Sequence, residues 1–326
     1  MYANDLVLLS QSYEGLQSLL ERLTSFCDTW NLKVNVDKTK IMIFNKSGKI
    51  LKRFSFRYEN QNIEITNKYK YLGIIFKPSG TFSYATSHLS EKASKAMFCI
   101  RKSLFSDRIN LVSHLKLFEA CVKPILLYCS DIWGLPLLVN EKSLMESKFD
   151  SFIPNKIQIK YAKYILGVDK SATNLTVMSE LGLFPLAIRA ELSFWLHTIN
   201  MDDTFLVKNA FSDNFIPKDS FCGKIKLLLD RLGFSLVWDN QGTFSKARFL
   251  HAVEEKLKQN FIDYWKLKIF DDDNKVNGNK LRTYRKLKLE YETEFFLYLD
   301  VGRSVISYFV NIRISNSILN IEKGDI

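Results

Sequence analysis

The chain has 326 residues, of which 47% are hydrophobic and 25% charged, so its composition is that of a globular protein and not of a disordered one. Its length allows two domains or one large domain. The net charge of +11 favours a polyanionic partner, nucleic acid before an anionic membrane surface, although charge alone establishes neither. No apolar stretch reaches the roughly 18 residues that a transmembrane helix needs, and we predict no membrane partner.

The first 80 residues alternate between short apolar runs and one helical pattern. Leu16, Leu20, Leu23 and Cys27 recur at helical spacing and predict an amphipathic helix over about 12–31. The strand-like runs are Leu6–Leu9, Lys40–Phe44, Phe54–Tyr58, Asn62–Ile65 and Tyr69–Phe76. One helix together with hairpins predicts an α+β region with a small sheet.

Strand signals fade after about residue 84, and helical spacing takes over. Apolar stripes run from Leu89 to Leu104 and from Leu111 to Cys129, the second with a kink predicted at Pro124. Further helices are predicted at about 141–166, 174–181, 185–200, 246–267, 279–298 and 303–320, with a linker at Asp213–Gly223. The remainder of the chain is therefore expected to be predominantly α-helical.

The cysteines argue for an intracellular protein without structural zinc. The five residues are Cys27, Cys99, Cys121, Cys129 and Cys222. Their number is odd, they lack CxxC spacing and most have apolar neighbours, which predicts buried free thiols in a reducing compartment. The four histidines do not pair with them at zinc spacing. The pattern does not distinguish cytoplasm from nucleus.

Three short strings stand in a suggestive order near the N-terminus: Tyr2-Ala3-Asn4-Asp5 before an apolar run, Asn35-Val36-Asp37-Lys38-Thr39-Lys40, and Tyr71-Leu72-Gly73-Ile74. In this order they resemble the last signature blocks of the reverse transcriptase palm of LINE-type (non-LTR) retrotransposons. These blocks are the aromatic-x-Asp-Asp box, the NxxKT block and the YLG primer-grip hairpin. Each string alone is weak evidence, but the ordered set is specific.

The resemblance continues through most of the chain and implies a domain order. Residues 117–134 resemble the thumb of these elements, and 164–168, 180–186, 313–316 and 321–324 resemble their C-terminal region. It implies a partial palm over 1–80, thumb-like helices over 81–140, and two helical C-terminal regions over 141–212 and 213–326. The fold class expected is α+β, with a small palm sheet followed by helices.

The same resemblance implies a metal-dependent polymerase site, which this sequence alters. Such enzymes hold two divalent metals, Mg²⁺ or Mn²⁺, with carboxylates on the catalytic turn and on an earlier strand. Here Asn4 occupies the first carboxylate position and Asp5 the second. Asparagine tolerates a tight turn as well as aspartate does, but its neutral amide is a weaker metal ligand. Earlier palm blocks and fingers have no counterpart in the sequence, so we expect no productive metal binding and no polymerase activity.

The remaining basic and aromatic residues fit nucleic-acid binding or a solvated sheet face equally well, and the resemblance favours binding. Residues 38–57 carry seven Lys or Arg and no Asp or Glu, with aromatic residues interleaved. The candidate contacts are Lys38, Lys40, Lys70, Tyr71, Leu72, Gly73, Lys92 and Lys95. Gly73 allows either close approach of a primer strand or a simple turn, and the lysines fit either phosphate contacts or a solvated face. An RNA template and a DNA primer are the partners that the resemblance implies, and it leaves the oligomeric state open.

Two other interpretations remain open from the sequence. One is a helical nucleic-acid-binding protein without catalysis, and the other is a helical protein-interaction module. Salt-dependent binding to a primer–template distinguishes them, because phosphate contacts release counterions and a protein-interaction module makes none.

Overall fold

The computed structural model describes residues 5–51, 53–103, 110–134, 152–189, 193–199, 209–210, 220–240, 244–270, 281–299 and 301–314. The chain divides into two compact units, residues 1–88 and 89–326. Small sheets occur in the first unit and helices dominate the second, so the protein has the predicted α+β class. The division into four polymerase segments stays a prediction.

The first unit contains one helix and five short strands. These are α1 (Tyr13–Thr29), β1 (Lys40–Ile41), β2 (Phe56–Tyr58), β3 (Gln61–Ile65), β4 (Tyr69–Tyr71) and β5 (Ile74–Phe76). β3 lies between β1, its parallel partner, and β2, its antiparallel partner. β4 and β5 form a separate antiparallel hairpin. The predicted helix is therefore present, and strands form in four of the five predicted strand-like runs. β1 and β2 are shorter than their runs, β3 begins one residue earlier than predicted, and the run Tyr69–Phe76 forms a hairpin of two strands.

A small apolar core joins α1 to the three-stranded sheet. Leu20 from the helix packs with Ile41, Phe56, Tyr58 and Ile63 from the strands, all of them at least 94% buried. The side chains of β2 alternate between buried and exposed, as expected for a strand with one face on a core. The helix begins where Ser12 Oγ accepts a hydrogen bond from the Gly15 N–H at 3.0 Å.

Two side chains of α1 also bind the backbone of β2 and of the residue before it. The Gln17 amide donates from Nε2 to Arg57 O at 2.9 Å and accepts from Arg57 N–H at 3.0 Å. The Tyr13 hydroxyl donates to Ser55 O at 2.7 Å. These bonds fix the helix to the side of β2 that does not face β3.

The strand predicted at Leu6–Leu9 is wrong. The backbone from Leu6 to Ser10 forms no strand in the structure, and Leu6, Val7 and Leu9 are 49%, 48% and 66% exposed. Only Leu8 packs against the core of the first unit. A strand is stabilised by hydrogen bonds to a neighbouring strand, and no strand among the described residues pairs with this segment.

The long helix α2 (Ser83–Ser103) spans the boundary, and helices follow it through the second unit. They are α3 (Leu111–Leu117), α4 (Lys123–Leu126), α5 (Ser130–Trp133), α6 (Ile153–Leu166), α7 (Asn174–Glu180), α8 (Ser193–Thr198), α9 (Phe221–Leu232), α10 (Ser235–Asp239), α11 (Lys246–Phe270), α12 (Arg282–Leu287) and α13 (Arg303–Arg313). Short 3₁₀ segments occur at Leu186–Arg189 and Phe295–Tyr298. Across the described parts of the chain, no helix is both long and apolar enough to span a membrane.

The irregularity predicted at Pro124 is present. A π-helical turn, Phe118–Val122, separates α3 from α4, and Pro124 lies in the first turn of α4. Proline has no N–H to donate and its ring crowds the preceding turn, so the regular hydrogen-bond pattern cannot continue through this point.

Two other predictions in this unit need correction. The single helix expected over 279–298 is instead α12, an irregular stretch and a 3₁₀ turn, because the chain leaves the helix to pair Thr293 with Leu181 and to donate from Glu294 N–H to Glu180 O at 3.0 Å. The predicted linker Asp213–Gly223 overlaps the start of α9, where Ser220 Oγ caps the helix. The part of that linker over 213–219 lies outside the described residues.

The core of the second unit combines aliphatic and aromatic side chains and extends through most of its helices. Trp195 and Trp265 are fully buried, and Trp195 stacks on Trp238 with ring centroids 6.0 Å apart.

All five cysteines are free thiols; Cys27 and Cys222 are buried as predicted, whereas Cys99 and Cys121 are exposed.

Candidate nucleic-acid interface

The segment that resembles the aromatic-x-Asp-Asp box supplies one carboxylate among the described residues. Asn4 lies outside the described residues, and Asp5 is exposed. Within the part of the chain that the structure describes, no three His, Cys, Asp or Glu side chains are grouped so that they could hold a metal ion. A two-metal site needs more carboxylates than Asp5 alone, so these residues do not fit the metals that the resemblance implies.

The second string forms a turn held together by its own side chains. Asn35 Oδ1 accepts from the Lys38 N–H at 3.0 Å, and Asn35 O accepts from Thr39 N–H at 3.0 Å and from Thr39 Oγ1 at 2.8 Å. Asparagine and threonine at these positions therefore determine the shape of the turn. The turn leaves the Lys38 side chain exposed.

Lys40 differs from Lys38 because it has an anionic partner. It lies opposite Glu64 in the parallel register of β1 and β3, and its Nζ is 2.7 Å from Glu64 Oε2. The sequence did not indicate this pair, since the two residues are far apart along the chain. The charge of Lys40 is partly neutralised within the protein, so Lys38 is the better phosphate contact of the two.

The third string is the tip of the β4–β5 hairpin. Tyr71 pairs with Ile74, which leaves Leu72 and Gly73 as a two-residue loop with φ of 44° and 87°. Positive φ at both positions is the pattern of a type I′ turn. Gly73 therefore serves a turn, one of the two roles that the sequence left open. Leu72 adopts a left-handed conformation that costs a leucine about 1–2 kcal/mol, and its side chain is 41% exposed.

The hairpin and the second string contact each other. The Tyr69 hydroxyl, on β4, donates to Lys38 O over a long 3.5 Å. On the same strand, Lys70 is exposed and Tyr71 is half-buried. The structure thus brings together Lys38, Lys70, Tyr71, Leu72 and Gly73, whereas Lys92 and Lys95 are exposed on the part of α2 that belongs to the second unit.

A cluster that the sequence analysis did not identify lies at the base of the hairpin. Lys68 precedes β4 and Lys77 follows β5, and their Nζ atoms lie 4.3 Å and 4.5 Å from the ring centroid of Tyr84. Lys68 Nζ also donates to the Tyr84 hydroxyl. Neither lysine forms an ion pair with any carboxylate in the described ranges. Two ammonium groups on one exposed ring form a cationic surface to which an anion can bind.

Further positive charge borders this cluster. The loop containing Lys46 and Lys49 is tied to the end of the hairpin, because Asn45 N–H donates to Pro78 O at 2.9 Å. The Asn45 side chain closes the same loop by donating to Lys49 O at 2.9 Å. Both lysines are exposed. The interleaving of basic and aromatic residues could have indicated Lys77 and Tyr84, but their common location depends on the hairpin geometry.

Comparison with known proteins gives one informative match. No family model matches the chain, and no solved structure matches it. A probable RNA-directed DNA polymerase from transposon BS of Drosophila melanogaster is 28% identical over 141 residues, which are 41% of this chain and 16% of that protein. The chain therefore spans about 16% of the length of this relative. The match supports a relationship to reverse transcriptases encoded by transposons.

Proposed function

We propose that the chain corresponds to the end of the palm, the thumb and the C-terminal region of a LINE-type reverse transcriptase. In this proposal it binds an RNA template and a DNA primer without polymerising. The order of the three strings and the match to a transposon polymerase support the origin. The observation that carries the binding function is the Lys68–Tyr84–Lys77 cluster at the base of the hairpin, together with exposed Lys38 and Lys70. This surface concentrates positive charge where the primer-grip resemblance lies.

Binding is tested with a fluorescein-labelled RNA template annealed to a shorter DNA primer, at about 50 and about 200 mM salt. We expect Lys68→Gln/Lys77→Gln to weaken binding about tenfold and to reduce the slope of log affinity against log salt by about 1.4–1.8, because two phosphate contacts are lost. The readout is fluorescence anisotropy.

The matched control is Lys256→Gln/Lys266→Gln, which removes the same charge from two exposed lysines of α11. This control is expected to bind like the wild type. Equal losses in both variants would mean that overall charge, and not the hairpin surface, determines affinity. No binding by the wild type at low salt would instead favour a helical protein-interaction module.

Catalysis is tested by primer extension with Mg²⁺ or Mn²⁺. We expect no extension, because Asn4 offers a neutral amide where the resemblance requires a carboxylate. Asp5→Ala is the control for contaminating polymerase, since activity from another source does not respond to it. Extension that Asp5→Ala abolishes would contradict the proposed inactivity.

A further inference from the structure

The helix α6 presents lysines along one exposed face. Nine of its 14 residues are buried, and the sequence IPNKIQIKYAKYIL contains no Asp or Glu. Lys156 and Lys160 are exposed and Tyr164 is half-buried. Residues four apart lie on the same side of a helix and are separated by about 6 Å along its axis. These three side chains therefore form a line along the helix.

Two arginines from other helices extend this line at Tyr164. The guanidinium carbon of Arg101, in the last turn of α2, lies 3.9 Å from the centroid of the Tyr164 ring. That of Arg303, the first residue of α13, lies 4.4 Å from the same centroid. Two helices that are distant from α6 in sequence thus each place a cation over one aromatic ring of α6. We call Lys156, Lys160, Tyr164, Arg101 and Arg303 the α6 basic face.

The arginine from α13 is held in place by the C-terminal end of α6. Arg303 donates from Nε to Ile165 O at 3.3 Å and from Nη2 to Tyr164 O. Ser307 Oγ donates to Gly167 O at 2.7 Å. Gly167 ends α6 with φ of 65°, and a Cβ at this position would lie 2.6 Å from Ser307 Oγ. Glycine is therefore required both for the left-handed cap and for the close approach of α13.

Among the described residues, no carboxylate lies within ion-pair distance of Arg101, Lys156, Lys160 or Arg303. The positive potential also reaches the neighbouring core. Burial lowers the pKa of His114, and the charge of Arg303 lowers it further. Cations without a carboxylate partner among the described residues, two of them held over one aromatic ring, are suited to bind an external anion.

We propose that the α6 basic face binds the phosphodiester backbone of nucleic acid, as a contact region separate from the hairpin of the first unit. Two arginines stacked on one ring retain donors for phosphate oxygens, and the lysines continue the contact along the helix. An anionic membrane is the weaker candidate. A helix that binds lipid inserts its apolar side chains, whereas most of those of α6 lie in the protein core and of its aliphatic residues only Ile153 is exposed. This inference adds a second surface to the proposed function and does not depend on the polymerase ancestry.

The test compares variants of the full chain for binding to a fluorescein-labelled RNA–DNA duplex at about 50 and about 200 mM salt. We expect Lys156→Gln/Lys160→Gln to weaken binding about tenfold and to reduce the salt slope by about 1.8, and Arg101→Gln to reduce it by about 0.9. Circular dichroism confirms that each variant is folded.

The Lys256→Gln/Lys266→Gln variant again controls for net charge. An equal loss in this control, unchanged binding by Lys156→Gln/Lys160→Gln, or affinity for phosphatidylserine vesicles in place of the duplex would overturn the inference. The Lys68→Gln/Lys77→Gln variant separates it from the proposed function. A loss confined to the hairpin variant rejects the α6 basic face alone, and a loss confined to the α6 variant rejects the hairpin surface alone.

Discussion

Replacing Arg313 with methionine is expected to lower the free energy of unfolding by about 3–5 kcal/mol at neutral pH. Arg313 contacts the fully buried carboxylate of Glu180 twice, at 3.2 Å from Nε to Oε2 and 3.2 Å from Nη2 to Oε1. Its Nη2 also lies 2.9 Å from Glu294 Oε1. Removing the guanidinium leaves Glu180 charged in the core without its main partner, which is the costly way to break a buried pair. Urea unfolding monitored by tryptophan fluorescence measures the effect.

The size of this loss is expected to depend on pH. Burial raises the pKa of Glu180 above its ordinary value of 4.5, and the charge of Arg313 opposes that rise. Without Arg313 the pKa rises further. A carboxyl whose pKa is higher in the folded state contributes stability that is present below 4.5 and is lost as the pH rises through the folded-state pKa. The variant should therefore be closest to the wild type in acid and furthest from it at neutral pH.

The double variant Glu180→Gln/Arg313→Met is the control for this mechanism. It removes both charges and leaves no ionised group uncompensated, so it should be more stable at neutral pH than Arg313→Met alone. Losses that are equal in acid and at neutral pH, or a double variant as unstable as the single one, would show that Arg313 acts through packing and not through charge.

Trp265→Ala is expected to cost about 3–5 kcal/mol, because it leaves a large cavity in the core of the second unit. The side chain is fully buried. Its ring meets Tyr291 edge-on, with centroids 5.4 Å apart, and Phe270 likewise at 5.9 Å. Chemical denaturation followed by circular dichroism gives the free energy, since the variant lacks one of the fluorescent reporters.

Trp265→Phe separates cavity formation from hydrogen bonding. The indole Nε1 finds no hydrogen-bond acceptor among the described residues, so replacing it with a carbon loses no bond. We expect a cost below half that of Trp265→Ala. Equal costs for the two substitutions would indicate that the indole nitrogen makes a contact on which stability depends.

Periodicity predicted the long elements of the fold because their apolar stripes face one core. α1 and α11 begin and end within a few residues of the predicted limits, whereas α2 ends as predicted but begins at Ser83, six residues before the predicted stripe. The single helix predicted over 279–298 does not form, because tertiary contacts outweigh the local helical preference of this segment. Lys288 is 1% exposed and its Nζ lies 2.6 Å from Glu294 Oε1, so the chain turns back on itself where local propensity alone would extend the helix.

In the candidate sites, too, local sequence patterns predicted the elements but not the contacts between residues that are distant along the chain. The YLG string indicated a hairpin, and Gly73 marked its turn, but the left-handed conformation of Leu72 runs against the preference of leucine and was not predicted. The Lys40–Glu64 pair follows from strand register, which the sequence did not specify. Arg303 contacts Tyr164 although the two residues are separated by 139 positions in the sequence. Residue spacing gives no information about contacts at such a separation.

The bonds between Gln17 and Arg57 have a consequence for how the sheet meets other molecules. Among the described residues β2 has a neighbouring strand, β3, on one side only, and the Gln17 amide occupies the N–H and the C=O of Arg57 on the other. A side chain thus takes the place of a neighbouring strand and blocks the groups through which exposed edges recruit a second chain. This glutamine is therefore a safeguard against aggregation at one edge of a small sheet, built into the helix that covers it.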